Sequence, residues 1–217
     1  WGTNRTLRWK PSTLWPIGTR TLTVNCSCEH GLAAPTITAT IEVFRGVCVM
    51  QGGSSSGEGG AKAPLDTIQN GINKAVATYG AGGPAEVRVA ASATAFSAAC
   101  SPTAWVVDMK PGISVYGRYD TGFTSRYTGS VAGTYSLITD TDASAMVGTL
   151  ADPVRAVNCE DAMTSTTVLD GFTIALGTGS TGNYYHCAVF CGSGSSPTLS
   201  NLTVQGGGTN YNACGII

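Results

Sequence analysis

The sequence predicts an all-β protein of the solenoid kind, a stack of short strands with one helix at its head. Three observations predict it. The later part of the chain can be laid over itself: LDGFTIALGTG (169–179) matches LSNLTVQGGG (199–208) at an offset of 30, HCAVF (186–190) matches ACGII (213–217) at 27, and VRAV (154–157) matches CAV (187–189) at 32. A repeat of about that length, with two or three strands in each, is a solenoid signature. Composition agrees: 29 glycines and only 12% charged residues mean many turns and uncharged faces, while 42% hydrophobic residues are too many for a disordered chain. Finally, a single segment after Pro64 has the spacing of a helical face.

Residues 1–18 hold three of the four tryptophans and have no clear period. Two alternating stretches follow, with Leu22, Val24, Cys26 and Cys28 on even positions and Ile37, Ala39, Ile41 and Val43 on odd ones. Alternation at period two predicts strands with one buried face, and EHGLAAP between them turns the chain into a β-hairpin. GGSSSGEGGAKAP, residues 52–64, reads as a flexible linker. Residues 1–51 are therefore expected to be an N-terminal extension and 65–217 the main domain. There, Ile68, Ile72, Ala75, Val76 and Tyr79 line one face of a helix over 65–79, with Asp66 or Thr67 capping its start and Gly80 ending it. Short strands with glycine-rich turns follow, from EVRVAA, WVVDM, GISVYG, YSLITD, AMVG and VRAV to TVLDGFTI, HCAVF, TLSNLTV and CGII.

One round of a solenoid cannot bury its own inward side chains. The next round, about 4.8 Å further along, supplies strand hydrogen bonds and closes the core. Phe172, Ile174, Leu202 and Val204 share one parity and are expected to stack inward, as are Val157, Val189 and Ile216. Thr173 and Thr203 are expected outward, as a hydroxyl ladder. The first end of the stack exposes strand edges, and the helix is its expected lid. The sequence stops at Ile217 within a strand, so the second end is expected to be covered by further chain or by another molecule.

APLDTIQNGINKAV, AEVRVAASATAFS, GISVYGRYDTGFTSRY and TVLDGFTI with SPTLSNLTV resemble secreted bacterial right-handed parallel β-helix proteins, the large extracellular or lipoprotein-like forms of myxobacterial type. The resemblance covers residues 63–217. It implies a right-handed parallel β-helix and a secreted location, and no particular reaction. Arg118 stands where that family usually has glycine in YGRYD, and Ala91-Ser92 where it has another.

Eight cysteines, an even number, point to an oxidising compartment, outside the cell or on its surface. With Val189 over Val157 and Ile216, Cys191 falls over Cys159 and Cys187 over Cys214. Stacked residues lie about 4.8 Å apart, inside the disulfide range of roughly 4.4–6.8 Å. Two inter-round disulfides are one reading, and a stack of reduced, buried cysteines is the other. A direct Cys187–Cys191 bond would span about 13 Å of strand and is excluded. Cys26-Ser27-Cys28-Glu29-His30 contains zinc-type ligands, but CxC followed by His is not a standard spacing, and Cys48 or Cys100 would have to complete the set. Disulfides from Cys26 and Cys28 to Cys48 and Cys100 account for the same residues. Neither a metal nor a cofactor is expected.

A net charge of −1 argues against nucleic-acid binding and against electrostatic attachment to a membrane, and no apolar run is long enough to span a bilayer. For catalysis the acids on offer are Asp108 with Lys110, Arg118 with Asp120, and Asp140 with Asp142. No stacked acid pair of glycosidase type emerges from the aligned rounds, so no catalytic residue is assigned. Sequons occur at Asn4, Asn25 and Asn201, which a Thr- and Ser-rich chain contains by chance. The expected function is a non-catalytic structural or adhesive surface protein that associates with further copies of itself, head to tail or by strand addition from the hairpin. The alternative is a carbohydrate-binding or carbohydrate-active protein, with Tyr116, Tyr119, Tyr127, Tyr184 and Tyr185 as contact residues.

Overall fold

The computed structural model describes residues 18–24, 37–80, 82–101, 103–128, 136–141, 153–176, 185–205 and 212–217. The chain divides into two compact units, Trp1–Arg45 and Gly46–Ile217. In the first, β1 (Gly18–Val24) and β2 (Ile37–Val43) form a two-stranded antiparallel sheet, with Leu22 opposite Ala39 and Val24 opposite Ile37. Cys26, Cys28, Glu29 and His30 lie outside the described residues.

The second unit is built mostly of strands in parallel sheets, with one helix among its described residues. In chain order it comprises β3 (Gly46–Val49), α1 (Ile68–Tyr79), β4 (Ala85–Ala90), β5 (Phe96–Ala98), β6 (Val107–Asp108), β7 (Ile113–Tyr119), β8 (Ser136–Asp140) and β9 (Val154–Cys159). β10 (Val168–Asp170), β11 (Phe172–Ala175), β12 (Tyr185–Cys191), β13 (Thr198–Ser200), β14 (Thr203–Gln205) and β15 (Asn212–Ile216) complete it. The strands enter three sheets in rotation. Sheet I has the order β3-β4-β7-β10-β13, sheet II β5-β8-β11-β14 and sheet III β6-β9-β12-β15. From β4 onward, each three consecutive strands therefore place one strand in each sheet, and such a set of three is termed a round.

The registers follow the internal repeat. Leu169 pairs with Leu199 and Ile174 with Val204, 30 residues apart. Val189 pairs with Val157 on one side and Ile216 on the other. Phe172, Ile174, Val157 and Val189 are buried in one continuous core with Ile138, Val107 and Met109, and Leu202 packs against it. Val204 and Ile216 differ from the expected inward stack: they are 36% and 51% exposed, because β14 and β15 are edge strands. Thr173, expected outward, is itself buried.

Two boundaries also differ from the sequence reading. GVCV pairs with β4, Val47 opposite Val87, so the main unit begins at Gly46 and not after residue 64. Segment 52–64 is folded back on β3: Cys48 N donates to Gly59 O, Leu65 N to Cys48 O and Ser54 N to Pro64 O. Glycine and serine there serve tight turns that backbone hydrogen bonds hold in place, which composition alone cannot distinguish from a linker.

The helix begins at Ile68, three residues later than expected. Thr67 is extended and its side chain accepts from Asn70 N, while Gly80 N donates to Val76 O. Ile68, Gly71, Ile72 and Ala75 are buried against β3 and β4. Gly71 permits the close approach, since a Cβ there would stand 2.5 Å from Val49 Cγ2 and 2.9 Å from Val87 Cγ1. Two glutamines finish this end of the stack. Gln69 Oε1 accepts Asp108 N on edge strand β6 at 2.7 Å, and Gln51 Nε2 donates to Ala95 O at the head of edge strand β5, also at 2.7 Å. Sheet edges that would template pairing with another chain are thereby occupied.

Candidate functional site

The most elaborate side-chain arrangement lies where the chain turns from sheet I to sheet II. Gly171 follows β10 with φ 83° and Asn201 follows β13 with φ 50°. Asp170 pairs with Ser200, so the two residues occupy the same corner in consecutive rounds. Glycine enters the left-handed region without a steric penalty and asparagine is among the next most tolerant residues. Asn201 also ties the rounds together, donating from Nδ2 to Asp170 Oδ1 at 2.7 Å.

One round earlier the strand bulges. Arg88 pairs with Tyr116 but Ala90 pairs with Tyr119, so β7 carries one extra residue, and Arg118 takes φ 66°. A left-handed backbone is one that glycine adopts without steric penalty, and arginine does not. The amide of Arg118 donates to Ser136 Oγ at 2.8 Å, and that hydroxyl lies 3.3 Å from Val89 O and Ala90 O. Ser136 is fully buried.

The chain after the bulge turns back over the corner. Asp120 Oδ1 accepts Thr124 N, and Tyr127 N donates to Arg118 O. Arg126 then reaches inward, giving Nε to Gly117 O at 2.9 Å and Nη1 to Asp170 Oδ2 at 2.6 Å. Its guanidinium lies 5.5 and 5.8 Å from the ring centroids of Tyr116 and Tyr119, and Arg88 approaches Tyr119 from another side at 5.2 Å. Burial would raise the Asp170 carboxyl, but hydrogen bonds from Arg126, Asn201 and Ser200 outweigh it and hold the group below the usual carboxylate range. Arg118, Arg126, Tyr127, Thr128 and Asn201 bound a cleft of about 240 Å³, with Tyr127 45% exposed.

Other expected site residues fall elsewhere. Lys110 bridges Asp108 at 2.8 Å and Asp161 at 2.5 Å, and Asn158 donates to Asp108 at 2.8 Å. Asp140 is buried, accepts Cys100 N, and lies 3.9 Å from His186 Nδ1, a pairing across sequence that nothing in the local pattern announces. Asp142 and Tyr184 lie outside the described residues, as do Asn4 and Asn25. Arg155, 2% exposed at its side chain, sits 4.3 Å from the Phe190 ring and 5.4 Å from the Trp105 ring and bonds Glu160. A second cleft of about 320 Å³, bordered by Gln51, Asp66, Gln69 and Trp105, lies at the helix-bearing end.

The cysteines stand in register without being bonded. Cys191 pairs with Cys159 and Cys187 with Cys214. Cys159 and Cys191 are free thiols, and Cys48, Cys100 and Cys187 carry no disulfide either. Cys48 and Cys100 are buried without a disulfide, and their expected partners Cys26 and Cys28 lie outside the described residues. Strand register brings Cα atoms to bridging distance but does not set the rotamers that bring two Sγ atoms to about 2.05 Å. Burial pushes the Cys48 thiol up to about 11, despite Arg88 nearby.

No family profile, no curated protein and no solved structure matches the chain. Sequence reasoning missed Arg126, Asp170 and Ser136. The available signals were Asn201 aligned under Gly171, and Arg118 at a glycine position.

Proposed function

We propose that the chain is a non-catalytic structural or adhesive β-solenoid of right-handed parallel β-helix type, working outside the cell or on its surface. The rotation of strands through three parallel sheets carries this reading. A parallel strand reached by a crossover is right-handed in about 98% of cases, which favours the right-handed coil. Adhesion rests on an asymmetry between the sheet edges. At the helix-bearing end the edge strand β3 is bonded by Gly59 and Leu65, and β5 and β6 each meet a glutamine, whereas β13, β14 and β15 are edge strands with Val204, Ile216 and Ile217 36–51% exposed.

Direct coil-on-coil stacking needs two open ends, so strand addition is the favoured mode of association. The natural donor is the β1–β2 sheet of another copy, since two strands alone are marginal in water. Sedimentation velocity of the full chain across a wide concentration range tests this. Concentration-dependent assembly that Val204→Lys abolishes is the expected result; a wild-type chain that stays monomeric throughout overturns it.

A second reading, glycan binding, is favoured by the Tyr127 cleft with its two arginines and Asn201. A retained wild type and unretained Tyr127→Ala on a panel of immobilised acidic and neutral polysaccharides would support it. No retention of the wild type on any of them removes it.

A further inference from the structure

Cys159 and Cys191 are directly paired members of one parallel ladder, on β9 and β12. Their surroundings are unequal. Cys159 is completely buried in the core beside Val157 and Met163, whereas Cys191 is partly exposed at the end of its strand, and its amide is held by Ile217 O at 2.7 Å. An accessible thiol in register with an inaccessible one is the arrangement in which the first reacts and the second resolves.

We propose that Cys191 is a thiol-modification site, attacked first by small disulfides of the oxidised-glutathione class, and that Cys159 resolves the adduct into an inter-round disulfide. The asymmetry of the pair agrees. The hydrogen bond from Cys159 draws the Cys191 thiol down to about 7 against the opposing effect of burial, and the same contact, with burial and the Asp108 charge, pushes Cys159 well up.

The chemistry balances. The Cys191 thiolate attacks one sulfur of the small disulfide, whose S–S bond breaks and releases one thiolate. Cys159 then loses its proton to solvent or to the departing thiolate, attacks Cys191 Sγ and expels the second small thiol. Two protein thiols have lost two electrons and two protons, and one small disulfide has become two thiols. The strand ladder already holds the two Cα atoms about 4.8 Å apart, so the product requires side-chain rotation and little backbone movement.

The test is incubation of the reduced full chain with oxidised glutathione, acid quenching, alkylation and peptide mapping without reductant. The expected product is a Cys159–Cys191 cross-link in the wild type and a stable glutathionyl adduct on Cys191 in Cys159→Ser. A cross-link elsewhere, for instance between Cys187 and Cys214, or no product at all, overturns the proposal. A measurement that needs no variant runs beside it: timed alkylation of the native wild type should modify Cys191 at least about tenfold faster than Cys48. Equal rates, or Cys159 reacting first, would also overturn it.

Discussion

The hydroxyl of Ser136 lies 2.8 Å from the amide nitrogen of Arg118 and serves a donor at the bulge in β7. A bulge displaces a backbone group from its partner, and a buried donor without a partner costs about 1–3 kcal/mol. Ser136→Ala should therefore lower unfolding stability by about that amount, read from urea denaturation with an unchanged m-value. Arg118→Gly should offset part of the loss in a double variant, since it relieves a left-handed backbone of about 1–2 kcal/mol. An Arg118→Gly change that recovers nothing in the Ser136→Ala background would mean that the left-handed backbone at 118 carries no strain.

Asp170 with Arg126 supplies the second prediction. Its carboxyl is held below the ordinary value of 3.8, so its contribution to stability is present above that value and is lost as pH falls through the lower, folded-state pKa. Asp170→Asn should destabilise the protein by about 1.5–3 kcal/mol near neutrality, and by progressively less as acid protonates the wild-type group. Thermal melts from pH 7 to pH 2 measure the gap, and a gap of constant size would rule out the ionised pair as its cause.

Gly71→Ala sets two effects against each other. Alanine favours a helix by about 1 kcal/mol over glycine, but the added methyl would stand 2.5 Å from Val49 Cγ2. Overpacking of that kind costs about 1–3 kcal/mol, so the net change should be destabilising. A raised melting temperature would mean that the helix moves away from β3 more freely than its packing implies.

The thiol of Cys191 should show a half-maximal alkylation rate near pH 7, where an ordinary cysteine of this size would require about pH 9. The group is a thiolate above its folded value, so its reactivity should rise with pH and level off. Removing the hydrogen-bond donor in Cys159→Ala should move the midpoint upward. An unchanged midpoint would separate the low value from the pair.

Much of this fold was legible because the later rounds are close copies. Offsets of 30, 27 and 32 place Ile174 on Val204, Val189 on Ile216 and Val157 on Val189. The earlier rounds are spaced irregularly: Val47 pairs with Val87 across 40 residues and Val115 with Leu169 across 54, beyond the reach of a repeat near thirty. Strands of two to four residues, such as β3, β5 and β6, are too short to give a period of their own. The Arg126–Asp170 contact joins an irregular turn to a strand 44 residues later, and no spacing rule encodes that. Cysteine proximity was readable from register, while the state of the sulfurs depends on rotamers and redox conditions, which register leaves open.

The occupied edges of β5 and β6 have a bearing on synthesis. The helix and the 51–65 turn precede β4 to β15 in the chain, and among the described strands each bonds to its immediate neighbours in its sheet. A polypeptide emerging amino-terminus first therefore carries the helix and this turn before β5 and β6 are made. The glutamines that bond β5 and β6 are thus in the chain before the edges they bond.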